Sequence, residues 1–313
     1  MSKIFTVFGA TGNQGGSVVK NVLENAELSK TYKIRAITRD VTKPAALALK
    51  AKGAEVVAAD MNDKDSIIAA IQGSSFVFAV TNYWEKMSAE IEIEQGKVMA
   101  DASKAAGVER FFWSSLPNVS KESHGKITSV HHFDSKAKVE EYIRFIGLPA
   151  TFVMPGLFMS YIWGTALQKT AEGFTWSTPL DPDSTGIPLF DPASDMGLFV
   201  SASLLLQDET LNKRILAAAG YVTPNEVASI VKEITGKPAV VKKITFEEFH
   251  GYLSPAAADE LVGNFQLVVD PGYYVGEPAD ALENSIALVE KAGLRKPVSL
   301  KHYIQKQIDK ASM

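Results

Sequence analysis

The stretch VFGATGNQGG, Val7 to Gly16, decides the fold. It ends a short β-branched and aromatic run, KIFTVFGA from Lys3, and leads into GGSVVKNVLEN, where Val18, Val19, Val22 and Leu23 share one helical side. Glycines at 9, 12 and 15 thus stand between a strand and a helix. Gly9 permits a tight turn, Gly12 lets the backbone approach a pyrophosphate, and Gly15 lets the helix pack closely on the strand. The unpaired N–H groups and positive dipole end of such a helix hold phosphates. The same glycines also suit a purely structural turn. Their place in the first strand–helix unit of an alternating chain is what points to nucleotide binding.

That alternation continues outward. Strands are expected at 32–38, 54–60, 75–81, 109–115 and 150–156, with helices at 45–53, 64–73, 90–108 and from His131 onward. Strands and helices in this rhythm make a parallel sheet covered on both faces. With right-handed crossovers, the expectation is an α/β fold with a doubly wound parallel (Rossmann) sheet. Ligands of such sheets sit beyond the carboxyl ends of the strands. Those ends are Gly9–Gly15, Thr38–Asp40, Asp60, Thr81–Tyr83, Ser114 with Ser115, and Pro155–Phe158. After about residue 156 the rhythm breaks into STPLDPDSTGIPLFDPASDMG, where loops are expected to dominate. KRILAAAG then reads as a strand. TPNEVASIVKEITG reads as a helix with Thr223 as cap, Pro224 in the first turn and Glu226 closing a capping box. Residues 1–155 are read as the dinucleotide-binding domain. Residues 156–313 are read as a smaller C-terminal α/β lobe for substrate or partner, with strands available to return to the main sheet.

Bulk composition narrows the classes. The 313 residues are 46% hydrophobic and 22% charged, with a net charge of −4 and no cysteine. Disulfides, thiolate metal sites and thiol catalysis are excluded together. No metal site is expected: His131 and His132 are adjacent and point about 100° apart on a helix. No dense Lys/Arg run argues for direct nucleic-acid binding, and no apolar run reaches the roughly 18 residues of a membrane span. The N-terminus has too short an apolar stretch for a signal peptide. A cytoplasmic protein is expected.

The second strand ends AITRD. NAD sites usually offer a carboxylate to the ribose 2′-hydroxyl, and NADP sites an arginine to the 2′-phosphate. Arg39 follows the strand end directly with Lys43 nearby, so NADP(H) is favoured over NAD. Asp40 stands one residue late for the usual carboxylate, and Arg39 could instead be a solvated loop charge. At the third strand end Asp60 and Met61 can border an adenine, though Met61 serves equally as core.

Taken in order, GATGNQGG, RAITRD, GAEVVAADMND, VTNYW, EQGK, AAGVERFFWSS, HHFDSKAKVEEYI and FDPASDMG resemble the NmrA-like family of atypical short-chain dehydrogenases/reductases. The similarity runs from about residue 3 to about residue 300, and HHFDSK and PLFDPASD place it nearest the NADPH-sensing branch. The resemblance implies that Thr11, Asn13, Gln14 and Gly15 line the pyrophosphate and that Arg39 meets the 2′-phosphate. It puts Asp60 and Met61 beside adenine, and Thr81 and Asn82 by the ribose. Lys136 would bond the nicotinamide ribose, with Pro155 to Phe158 near the nicotinamide. It also implies a homodimer, a regulatory protein partner and a nuclear as well as cytoplasmic setting.

The departure lies in the helix HHFDSKAKVEEYIRFI. Val139, Ile143 and Ile146 mark its buried stripe, which runs back to Lys136 and His132. Ordinary superfamily members carry a catalytic tyrosine four residues before the lysine, and here that residue is His132. Ser114 or Ser115 could match the usual serine. Imidazole can trade protons near neutrality, and a cationic Lys136 one turn away would favour its neutral form. His132 could equally fill the pocket or cap the helix, and Tyr83 and Tyr161 could reach the pocket or wall it. Two functions follow. One is a redox sensor that binds NADP(H) and signals to a protein partner. The other is an NADPH-dependent reductase of a quinone, enone or carbonyl, with Lys136 and His132 as its catalytic pair.

Overall fold

A computed structural model describes residues 2–311. Seven strands form one parallel sheet: β1 (Lys3–Val7), β2 (Tyr32–Thr38), β3 (Glu55–Ala58), β4 (Phe76–Ala79), β5 (Arg110–Ser114), β6 (Ala150–Pro155) and β7 (Arg214–Ala217). Their order across the sheet is β3-β2-β1-β4-β5-β6-β7. The chain reverses direction of travel between β1 and β4, which opens the crevice where a doubly wound sheet takes its ligand.

Both faces of the sheet are covered, so its central strands β4, β5 and β6 are buried at every position rather than alternating. Phe76 and Phe78 of β4 face one cluster with Phe5, Val7 and Phe112, under α1 (Asn13–Glu24). Val77 and Ala79 face the other, with Phe111 and Trp113. That second face is covered by α3 (Lys64–Ile71), α4 (Ala89–Ala105) and α5 (His131–Phe145), while α2 (Pro44–Ala51) links β2 to β3. Two glycines set how near helices approach. A Cβ on Gly96 of α4 would lie 2.6 Å from Val139 of α5, and one on Gly197 would lie 2.1 Å from the carbonyl oxygen of Ser17 in α1.

Gly197 belongs to α6 (Pro192–Leu205), which packs on α1, and β7 pairs with β6 at the sheet edge. The second half of the chain therefore contributes a helix and a strand to the first. Its remainder holds two three-stranded sheets (157–158, 187–190 and 221–222; 168–169, 174–178 and 239–243) and the helices α7 (Pro224–Thr235), α8 (Ala258–Val269), α9 (Ala281–Lys291) and α10 (Leu300–Ala311). The capping box at Thr223 and Glu226 forms as its sequence signals.

One expectation is corrected. The segment expected to be mostly loop contains a fully buried strand, Ile187–Phe190, followed at once by α6. Asp191 caps that helix by accepting from the Ala193 N–H at 3.1 Å, with Pro192 in its first turn. The Asp-Pro pair that reads as a loop breaker is here a helix start, since proline in the first turn forfeits no helical hydrogen bond.

Candidate dinucleotide site

The carboxyl ends of β1 to β4 open into a cleft of about 460 Å³. At its centre Gly9 has φ +63°, and the Gly12 N–H closes the turn on the Gly9 carbonyl at 2.9 Å. A Cβ on Gly15 would lie 2.4 Å from that same oxygen, so only glycine lets α1 start this close to β1. Gly12 is the N-cap and has no side chain to offer. The first-turn N–H groups of Asn13, Gln14 and Gly15 therefore keep their capacity to hold an anion. Thr11, Asn13 and Gln14 line the cleft with the three glycines.

Arg39, Lys43, Asp60 and Met61 line one end. Arg39 pairs with Glu85 across the mouth at 2.8 Å. Asp40 accepts from the Thr42 N–H (2.9 Å) and hydroxyl (2.6 Å), which hold its carboxyl below the ordinary carboxylate range. Its carboxylate builds the local turn, which resolves why an aspartate can follow Arg39 in an arginine-type site. Asp60 likewise accepts from the Asn62 backbone and side chain, both at 2.9 Å. Met61 does both things expected of it, lining the cleft and packing on the core below.

Thr81, Asn82 and Phe158 line the other end. There the structure adds a residue that sequence reading passed over. Glu92 lines the cleft yet is only 2% exposed, while Glu90 and Glu94 on the same helix are exposed. Its carboxylate accepts from the Lys136 ammonium, the Ser135 hydroxyl and the Thr81 hydroxyl, the last at 2.7 Å. The ammonium also donates to the Thr81 hydroxyl at 3.1 Å. Extending the buried stripe of α4 backwards from Met99 through Gly96 reaches Glu92, which is the signal that could have found it.

The remaining candidates divide. Ser114 is fully buried and reaches the cleft only through the Gln14 side chain, to which it donates at 2.7 Å, whereas Ser115 donates to the buried Glu140 at 2.6 Å. Lys136 reaches the cleft through Thr81 and Glu92 but does not itself line it; neither do His132 and Pro155. The Pro155 carbonyl instead accepts from the Tyr273 hydroxyl.

His132 lies under the second half of the chain. Its Nδ1 is 2.6 Å from Glu260 of α8, and the same oxygen accepts the His132 backbone N–H at 2.7 Å. With Nδ1–H donating to Glu260, Nε2 is the acceptor, 3.5 Å from the Asn264 amide nitrogen. The rings of Trp84 and Phe133 close over the imidazole at 4.9 and 4.8 Å. Burial lowers its pKa, Glu260 opposes the shift, and Lys136 adds a smaller lowering. Burial raises the pKa of Tyr83, and the Glu260 carboxylate adds to the rise. Tyr161 is pushed up to about 12 by burial and packs on Phe265, walling the second half.

Comparison with known proteins fits this geometry. The profile of the NmrA-like family matches residues 1–304. An NmrA-like family domain-containing oxidoreductase, malD of Malbranchea aurantiaca, is 31% identical over 252 residues, 76% of this chain and 74% of that protein. Another, lnaB of Aspergillus flavus, is 31% identical over 317 residues, 94% and 92% of the two chains. The crystal structure of NmrA, a negative transcriptional regulator, in complex with NADP superposes with a TM-score of 0.77 at 20% identity, covering 99% of this chain and 97% of that one. A glycine loop at the sheet's switch point, an arginine-type second strand end and a family match over nearly the whole length lead to one conclusion: the chain belongs to the NmrA-like family.

Proposed function

We propose that this protein binds NADP(H) and acts as a redox-responsive regulator through a protein partner. The residues suit the cofactor. Backbone N–H groups of the glycine loop would hold the pyrophosphate, Arg39 and Lys43 the 2′-phosphate, and Thr81 with Lys136 the nicotinamide ribose. When bound, the nicotinamide supplies a hydride. One observation carries the regulatory reading: Lys136, Ser114 and His132, the groups the sequence offers to move a proton near that end, are each already tied to a protein partner. Lys136 is held by Glu92 and Thr81, Ser114 by Gln14, and His132 by Glu260 and Asn264. His132 does not line the cleft, which supports reading it as a structural link between α5 and α8 rather than as the heir of a catalytic tyrosine.

A second reading is favoured by the relatives, which are named oxidoreductases. An acceptor such as a quinone takes a hydride and completes its protonation from water, so a reductase of this kind needs no residue to donate a proton. One experiment separates the readings. NADPH and NADH are titrated calorimetrically, and NADPH oxidation is then followed with quinones, enones and aldehydes. Tight NADPH binding without turnover supports the regulator. Turnover that survives His132→Phe supports the reductase without a histidine donor, and equal affinity for NADPH and NADH overturns the NADP assignment.

A further inference from the structure

The ion pair between Arg39 and Glu85 stands where the proposed 2′-phosphate would be read. Glu85 lies on a single helical turn, Tyr83–Lys86, that closes at Met87 in the left-handed region (φ +50°). The turn is also anchored on the His132 ring, with the Tyr83 and Trp84 rings 5.9 and 4.9 Å from it. One turn of five neighbouring residues thus touches the arginine at one end of the cleft and the α5–α8 junction at the other.

We propose that Glu85 is a specificity gate: a 2′-phosphate displaces it from Arg39, and the freed turn draws Trp84 away from His132. The inference rests on the NADP(H) reading of the cleft. Arg39 and Glu85 are both solvent-exposed, with side-chain exposures of 64% and 38%, so the pair is weak and exchangeable. A phosphate dianion offers the guanidinium shorter, charge-assisted bonds in a bidentate geometry. Once the phosphate is seated, the Glu85 carboxylate faces like charge and is repelled. A ligand with a free 2′-hydroxyl lacks that charge and leaves the pair closed. Trp84 is 43% exposed and rests against the His132 ring rather than in a core, so it can move without unpacking one. The same phosphate that sets affinity then changes the surface around Trp84, Met87 and Ile91, which are all exposed apolar residues.

Adenosine 2′,5′-bisphosphate and 5′-AMP are the probes, since they differ in the 2′-phosphate alone and carry no fluorescent nicotinamide. Calorimetry gives both affinities, and tryptophan emission reports the turn, with Trp84→Phe identifying the Trp84 share. The bisphosphate should change Trp84 emission and 5′-AMP should not. In Glu85→Gln the ratio of bisphosphate to 5′-AMP affinity should rise about two- to fivefold at low salt, with the Trp84 response largely lost. Equal Trp84 responses to both probes, bisphosphate binding with a silent Trp84, or an unchanged ratio in Glu85→Gln would each overturn the gate while leaving NADP binding intact. If the bisphosphate fails to bind the wild-type protein at all, the NADP reading falls and the gate falls with it.

Discussion

Replacing Lys136 by methionine is expected to cost far more stability than loss of a ligand contact alone would. The Lys136 side chain is 9% exposed, and that of its partner Glu92 is 2% exposed. Glu92 holds three donors: the ammonium, the Ser135 hydroxyl and the Thr81 hydroxyl. Methionine keeps most of the volume and removes the only positive charge among the three. The carboxylate is then buried with two neutral donors. Breaking a buried pair from one side costs about 3–5 kcal/mol. The two hydroxyls that remain, and the cleft beside them, place this case near the low end, about 3 kcal/mol. Glu92→Gln keeps an amide oxygen, and Thr81 still accepts from the ammonium, so its cost should be lower, about 2 kcal/mol. The double variant leaves no unpaired charge. Its cost should therefore fall about 2 kcal/mol short of the sum of the singles, well outside the ~0.5 kcal/mol scatter of independent sites. Urea unfolding at pH 7 measures all three differences, with equal slopes showing that the denatured states are comparable. Costs that add, or a Lys136→Met cost under about 1 kcal/mol, would refute the argument, because an exposed pair behaves that way.

Other perturbations test the remaining parts. Arg39→Ala should weaken NADPH binding about 10- to 100-fold, the worth of charge-assisted bonds to phosphate, and change NADH binding less than about twofold by calorimetry. Gly15→Ala forces a Cβ to within 2.4 Å of the Gly9 carbonyl, so the loop must shift; a loss of about 2 kcal/mol or more is expected in urea unfolding, with NADPH affinity falling alongside. His132 has its pKa lowered by burial, so the folded chain resists the proton that the unfolded chain accepts. Its contribution is full above about pH 6.5 and is lost as the pH falls below that value, and His132→Asn should flatten the loss measured between about pH 6.5 and 5.

Much of the fold was legible because its signals are local. The glycine loop carries its own backbone requirement, the strands are short apolar runs, and the Thr223 box states its helix start outright. The strand Ile187–Phe190 was not legible, being four buried residues inside a Pro- and Asp-rich stretch whose punctuation looks the same before a loop and before α6. The return of β7 to the main sheet was only half visible: KRILAAAG reads as a strand, but its pairing with β6 is a non-local fact. At the site, the residues that line the cleft through backbone or strand-end position were read from spacing. Glu92, Glu85 and Glu260 were not. Each matters through a distant partner, Lys136 for Glu92 at 44 positions, Arg39 for Glu85 at 46 and His132 for Glu260 at 128, and nothing local marks one glutamate among many.

The α5 helix shows why this distinction bears on function. An inward lysine on an apolar stripe demands a partner, and the sequence offered one candidate, the ribose of a bound dinucleotide. The folded chain supplies another, Glu92, which reaches the same ammonium from α4. The direction of Lys136 is therefore no longer an argument for a cofactor by itself, and the case for the dinucleotide rests on the glycine loop and the free N–H groups at the start of α1. The converse holds for His132. Its inward position invited a catalytic role, yet Glu260 takes its Nδ1, Asn264 faces its Nε2 and the Trp84 and Phe133 rings pack around it. A proton donor needs one ring nitrogen directed at the reacting atom. For His132 to serve as one, α8 would have to move away from α5, and a chain that makes such a motion when it binds nucleotide is behaving as a switch.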